Sequence, residues 1–238
     1  MQGDAPRTPA APLDSEPLDS EPSDSEPRAP LIRDDRKERV AAALATRLAS
    51  VVVVCEAVHR RHNVSAILRS AEAFGVHEVH LVTGPFRPSK GAARGAERWL
   101  ELHRHKQTTA CLGELKDRGY RIVVADLVVD AGTPAWAPDT VPVDQPLVIL
   151  FGAEHSGVSE AALALADGAI TVPMRGLTES LNVSVAAACV LQRVTERRRA
   201  VVGAGDLPQA RQQAFFDAWV AAEEEEKSGR RARNEPPA

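Results

Sequence analysis

Aromatic side chains are scarce in this chain, at 4% of 238 residues with a single Tyr. Its core must therefore be filled by aliphatic side chains, and a hydrophobic content of 44% supplies enough of them for one sizeable domain. Cysteine is sparse as well: Cys55, Cys111 and Cys189 lie far apart, with no C-x-x-C and no Cys/His spacing typical of a metal site. A disulfide framework is excluded, the three read as buried thiols, and no metal is expected. No apolar run reaches the ~18 residues of a membrane span. No leader with a basic start and an apolar middle opens the printed sequence, so a cytoplasmic location is expected. G-x-G-x-x-G and the P-loop are missing too, which removes the fingerprints of dinucleotide and nucleoside-triphosphate binding.

What is present begins with charge. The net charge of −4 is misleading, because the first 30 residues carry seven acids against Arg7 and Arg28. They contain a five-residue repeat, Leu13-Asp-Ser-Glu-Pro, Leu18-Asp-Ser-Glu-Pro and Ser23-Asp-Ser-Glu-Pro27, whose composition cannot bury a core and reads as disordered. From Leu31 to Gly205 there are 22 Lys and Arg against 19 Asp and Glu, a mild basic excess that permits a polyanion-binding patch without demanding one. Three regions follow: an acidic tail over 1–30, one domain with an N-terminal helix over 31–205, and a C-terminal helix with a mobile tail over 206–238.

Within the domain, strand and helix patterns alternate. Val51-Val-Val-Val-Cys55 is a continuous β-branched run of the kind buried on both faces of a sheet, and similar runs recur at Val79–Val82, Ile122–Ala125, Leu147–Phe151 and Ile170–Val172. Helical patterns span Asp34–Ala49, Val64–Phe74, Thr109–Arg118, Ser159–Ala166, Leu181–Arg199 and Ala214–Ala222. The alternation predicts an α/β domain with a mostly parallel sheet, helices on both faces, and functional loops at the carboxyl ends of the strands. Arg33, Arg36, Lys37, Arg39 and Arg47 ride on the first helix, either as a solvated face or as contacts for a polyanion.

Three loops could carry chemistry. The first is Glu56–Asn63, leading into a helix that Asn63 can cap; Arg69 falls six residues later, near 240° around the helix. An arginine facing the core there needs a carboxylate partner or a phosphate ligand. His59 and His62 in the same loop read as loop side chains. In the second, Phe151-Gly-Ala-Glu-His-Ser-Gly157, two glycines let a ligand approach the backbone beside Glu154, before a helix capped by Ser159. In the third, a strand ending near Val172 runs through a polar loop to Ser180-Leu181-Asn182, whose side-chain oxygens can cap an apolar helix. That helix has almost no polar face, so sheet or a partner subunit should cover it on all sides. Read separately, each loop could also be an ordinary capped turn.

Taken together, N-x-S-x-I-x-R at Asn63–Arg69, F-G-x-E-x-x-G at Phe151–Gly157, and Ile170-x-Val-Pro-Met with Ser-Leu-Asn-Val-Ser-Val-Ala-Ala-Ala188 resemble the three motifs of the SpoU branch of the SPOUT methyltransferases. The run Val58-His-x-x-His-Asn-Val-Ser-Ala-Ile67, the segment Ala161–Ile170 and Trp99 are most similar to the TrmH-type tRNA guanosine-2′-O-methyltransferases. The resemblance covers about Arg33 to Arg199. Two pairs depart from it: Arg60-Arg61 stands where the family often has Lys-Pro, and Thr178-Glu179 where it often has Val-Gln.

The resemblance implies a deep trefoil knot, an obligate homodimer, and transfer of a methyl group from S-adenosylmethionine to a ribose 2′-oxygen, with guanosine 18 of the tRNA D-loop as the favoured target. It implies catalytic roles for Arg69, Asn63, Glu154, Ser180 and Asn182, and cofactor contacts, mostly through the main chain, at Ala125, Gly152, Val172, Met174 and Leu181. Phosphate contacts are expected from Arg33, Arg36, Lys37, Arg39, Arg60, Arg61, Arg193 and Arg197, with Arg198 and Arg199 beside them. A ribosomal RNA 2′-O-methyltransferase, a catalytically silent RNA-binding dimer and a nucleotide-binding metabolic enzyme stay open as alternatives.

Overall fold

The β-branched run at Val51–Cys55 serves two cores at once, because successive side chains of a strand point to opposite faces. In the computed structural model, which describes residues 32–82, 93, 95–126 and 132–234, Val51, Val53 and Cys55 enter one buried cluster while Val52 and Val54 enter another. The first cluster lies under helices α2 (Arg61–Ala73) and α5 (Val183–Val202), through Ile67, Leu68, Val190 and Val194 among others. The second lies under α3 (Thr108–Asp117) and α4 (Glu160–Leu163), through Cys111, Leu112, Leu115 and Ala162. Both faces of the sheet are therefore covered, as expected when every strand pair is parallel.

The strands are β1 (Leu48–Glu56), β2 (Val76–Val82), β3 (Glu101–His105), β4 (Arg121–Ala125), β5 (Ala135–Trp136), β6 (Leu147–Phe151) and β7 (Gly168–Ile170). They lie in the order β3-β2-β1-β6-β4-β7-β5, and all six neighbouring pairs run parallel. Outside the sheet, α1 (Asp34–Ala45) packs on α6 (Gln209–Asn234), and Val40, Leu44, Leu207 and Trp219 with Ile32 form a third, smaller core. Arg36 stacks over the Trp219 ring there, 5.6 Å from its centroid, and pairs with Glu223 at 3.1 Å.

Several elements differ from the sequence expectation. β3 and β5 were not foreseen, because both are edge strands: Glu-Leu-His-Arg-His is too polar to read as a strand, and β5 has two residues. β7 pairs over Gly168–Ile170 rather than Ile170–Val172, since its neighbour β4 ends at Ala125, opposite Ile170; Trp136 lies across Gly168, where a Cβ would come within 2.3 Å of the indole. α1 stops at Ala45 because Leu48 already pairs into β1, its N–H donating to Gly75 O at 2.8 Å. Past α4 the chain turns at Asp167, whose carboxylate and N–H both bond Ile122, which ends the helix short of Ala166. The last helix runs to Asn234, well past Ala222, because Glu, Lys and Arg propagate a helix without needing burial. The acidic repeat over 1–30 lies outside the described residues. Among those described, no helix is long and apolar enough to cross a membrane.

Candidate active site

The carboxyl ends of three adjacent strands finish level with one another. Ala125 of β4 pairs with Phe151 of β6 on one side and with Ile170 of β7 on the other. Crevices at such strand ends are where open parallel sheets bind ligands. A cavity of about 540 Å³ opens there, between the loop after β6, the segment 171–182 and the starts of α2 and α5.

The loop after β6 is shaped by its two glycines. Ala153 and Gly157 exchange backbone hydrogen bonds at 2.9 and 3.0 Å, with Gly157 at φ +67°. This tight ring presses Gly157 against Gly152, where an added Cβ would lie 2.3 Å from Gly157 O. No other residue fits at 152 without moving the loop. Glu56, buried at the end of β1, fastens the far side by accepting from Ser159 N (2.9 Å) and Ser159 Oγ (2.6 Å) as well as from Thr108 Oγ1. Ser159 caps α4 as expected, accepting from Ala162 N at 3.1 Å.

The ring aims Glu154 at the start of α2. Its carboxylate accepts from Asn63 Nδ2 (2.8 Å) and from the backbone N–H groups of Arg60 (3.2 Å) and His59 (3.4 Å). Desolvation pushes this carboxyl upward, but the hydrogen bonds from Asn63, from its own N–H and from those of Arg60 and His59 prevail and hold it below the usual value. Asn63 is 1% exposed and does not cap α2; the cap position is Arg60, and Asn63 lies in the first turn, facing the cavity. Its Oδ1 accepts from Asn182 Nδ2 at 3.2 Å, and Asn182 Oδ1 accepts from Ser184 N at 2.9 Å, capping α5 as expected. An unbroken chain of hydrogen bonds thus joins α5, α2 and the glycine loop.

Ten of the residues expected at the site line this one cavity: Asn63, Glu154, Ser180, Asn182, Ala125, Gly152, Val172, Met174, Leu181 and Arg60. Arg69 does not. It is exposed rather than core-facing, and among the described residues it has no ion pair, because 240° around α2 from Asn63 points it away from the sheet. The expected phosphate contacts divide in a similar way. Arg197 donates to Pro138 O and Val141 O, Arg198 is buried against Ser50 Oγ and Val143 O, and Arg199 holds Thr46 O and Phe74 O. These three brace the backbone and are not offered to a phosphate. Arg193 is half-exposed beside Asp139, Arg33 is exposed beside Asp35, Arg39 and Arg61 are exposed, and Lys37 is partly covered.

Two cavity residues went unnoticed in the sequence: Asp126, directly after β4, and Thr171, directly after β7. Thr171 Oγ1 donates to Asp126 O, and Asp126 Oδ2 accepts from Val158 N at 3.4 Å, so the pair ties two strand ends to the glycine loop. The signal was positional, since each is the first residue beyond a strand's carboxyl end. Within this one chain Cys189 is exposed, unlike Cys55 and Cys111, and the sheet covers only part of the apolar helix α5, with Val185 49% exposed.

Comparison with known proteins agrees with this geometry. Residues 50–192 match the family model described as the SpoU rRNA Methylase family. The chain is 42% identical over 177 residues to the tRNA (guanosine(18)-2′-O)-methyltransferase of Thermus thermophilus, covering 73% of this chain and 88% of that protein. It is 39% identical over 168 residues to the enzyme of the same description from Escherichia coli K12, covering 69% and 71%. The crystal structure of the A. aeolicus TrmH/SpoU tRNA modifying enzyme superposes with a TM-score of 0.72 at 28% identity, covering 80% of this chain and 97% of that one.

Proposed function

The chain belongs to the SpoU rRNA methylase family, and on that premise we propose that it methylates the ribose 2′-oxygen of guanosine 18 in the D-loop of tRNA. The observation that carries this reading is the cavity itself, where all three motif segments converge on one hydrogen-bonded chain, Asn182 to Asn63 to Glu154. The cavity suits S-adenosylmethionine. Its volume lies within the range of small-ligand sites, Met174, Val172 and Leu181 give an apolar side, and the close contact at Gly152 brings bare backbone to its edge. When bound, S-adenosylmethionine supplies the electrophilic methyl group.

The residues then have distinct tasks. Val172, Met174, Leu181 and the backbone at Ala125 and Gly152 hold the cofactor. Asn63, Ser180 and Asn182 orient the ribose so that its oxygen lies in line with the methyl, a positioning task whose geometry sets the rate. Glu154 fixes the Asn63 amide, with its oxygen toward Asn182 and its nitrogen toward the carboxylate. Arg69 stabilises the developing alkoxide, since a guanidinium donates hydrogen bonds and accepts none, and a substrate phosphate or water takes the proton. Arg33, Arg36, Lys37, Arg39, Arg60, Arg61 and Arg193 bind tRNA phosphates; neutralising several of them weakens binding and flattens its salt dependence.

Arg69 lies outside its own chain's cavity, and the proposed homodimer accounts for this. The exposed apolar residues Leu177 and Val185, together with Cys189 one helical turn after Val185, form the face through which a second copy docks. Arg69 then completes the partner's site. The trefoil knot and a cytoplasmic location belong to the same proposal. The test is incubation of pure protein with labelled S-adenosylmethionine and either total tRNA or rRNA, followed by mapping of the methylated ribose. Label at guanosine 18 of tRNA supports the reading; label confined to rRNA overturns the substrate, and no transfer to either RNA overturns the activity.

A further inference from the structure

A second cluster of chemically capable side chains lies away from the cavity, where the sheet edge β2–β3 meets α3. His80 of β2, His105 at the end of β3 and Cys111 of α3 present one ligand atom each within 4.8 Å of one another. His80 and Cys111 are 0% exposed, and His105 is partly covered. His80 Nδ1 lies 2.7 Å from His105 Nε2 and 3.7 Å from Cys111 Sγ. From these atoms we propose a binding site for one Zn²⁺-type divalent ion, held by His80 Nδ1, His105 Nε2 and the Cys111 thiolate, with the fourth position left to solvent.

The surroundings of His80 favour this over an ordinary buried histidine. Its other nitrogen, Nε2, lies 2.8 Å from Glu78 Oε1. Glu78 is itself 1% exposed, and its carboxylate also accepts from Arg118 (2.6 and 2.9 Å) and Arg211 (3.1 Å). A carboxylate held by two arginines accepts a hydrogen bond from the imidazole, so His80 carries its hydrogen on Nε2 and leaves the lone pair of Nδ1 toward His105 and Cys111. A carboxylate–histidine pair of this kind orients the ligand histidine in metal sites.

Ligand spacing is close to what the ion requires. Tetrahedral bonds of ~2.0 Å to nitrogen and ~2.3 Å to sulfur place N and S about 3.5 Å apart and two nitrogens about 3.3 Å apart. Cys111 Sγ is near its place relative to His80 Nδ1, and His105 Nε2 must withdraw from that nitrogen by about 0.6 Å. Without the ion, the His105 Nε2 hydrogen bridges to His80; on binding, His105 moves that hydrogen to Nδ1 and the thiol loses its own. The balance is M²⁺ plus Cys–SH giving M²⁺–S–Cys plus H⁺. Cys111 is fully buried, and its thiol proton leaves when the sulfur ligates the ion.

Tag-free full-length chain, stripped with a chelator, is titrated with Co²⁺ and then Zn²⁺. Expected are one ion per chain, a thiolate-to-cobalt charge-transfer band with tetrahedral d–d bands that Zn²⁺ abolishes, and about one proton released per ion by calorimetry in buffers of different ionisation enthalpy. Cys111→Ser and His105→Ala each lose affinity at least tenfold and lose the Zn²⁺-dependent rise in melting midpoint, while Cys189→Ser keeps both. Absence of the charge-transfer band in the wild-type chain overturns the site, as does binding without proton release. Binding that survives both Cys111→Ser and His105→Ala overturns it as well. The wild-type spectrum and proton count need no variant to fold.

Discussion

At the scale of single residues, the glycine loop makes the sharpest claim. Gly152→Ala places a methyl group 2.3 Å from Gly157 O, an overlap that backbone cannot absorb in place, so the ring around Glu154 must shift. Gly176→Ala, with nothing within 4 Å of the added methyl, tests whether that tightness matters. The first variant is expected to weaken S-adenosylmethionine binding at least tenfold and to cost about 1–3 kcal/mol of stability, and the second to leave calorimetric affinity and melting midpoint unchanged. Equal effects of the two would show that close packing at 152 is not what shapes the cavity. Glu154 makes a claim about pH. Its folded pKa lies below its unfolded one, so its hydrogen bonds stabilise the chain fully above the ordinary carboxylate range, and the benefit fades as pH falls through the folded value. Glu154→Gln never carries that charge. The gap in melting midpoint between wild type and Glu154→Gln should be widest at neutral pH and close in acid; a gap constant across pH would mean that shape rather than charge holds the loop.

At the scale of elements, α5 combines a helix cap with the proposed ribose contact, and both would depend on Asn182. Asn182→Ala removes the acceptor for Ser184 N and should cost about 1 kcal/mol. Asn182→Asp keeps an oxygen for the cap but cannot donate to Asn63, so we expect near-wild-type melting with turnover lowered at least tenfold. Full activity in Asn182→Asp would confine the residue to capping. The same element shows how far sequence reaches. The start of α5, the β-branched strands and the ten cavity residues were readable because caps, period and motif are local signals. β3 was not, because an edge strand of Glu, His and Arg satisfies its side chains with ion pairs, Glu101 with Arg211 among them, and needs no apolar alternation. The His80, His105 and Cys111 cluster escaped for a related reason. Its ligands come from three elements that only the sheet order brings together, so no fixed spacing along the chain announces them.

At the scale of the whole molecule, the position of Arg69 decides how many chains make one active site. Helical geometry places it far around α2 from Asn63, and the chain leaves it exposed while every other expected catalytic residue faces the cavity. If Arg69 acts, the ribose oxygen must reach it from a cavity it does not line, and a symmetric dimer lets each chain supply the arginine missing from the other. Interface and chemistry can be tested together. Val185→Lys puts a charge on the exposed apolar face of α5 and should yield monomers by sedimentation, with methylation lost although S-adenosylmethionine still binds. Mixed dimers give the sharper result. Arg69→Ala and Asn182→Asp chains carrying different tags are each expected to be inactive alone. If Arg69 serves the partner's cavity, a purified mixed dimer has one site bearing both changes and one bearing neither, and should recover roughly half of wild-type turnover. If Arg69 serves its own cavity, every site in the mixed dimer bears one change, and the preparation stays inactive.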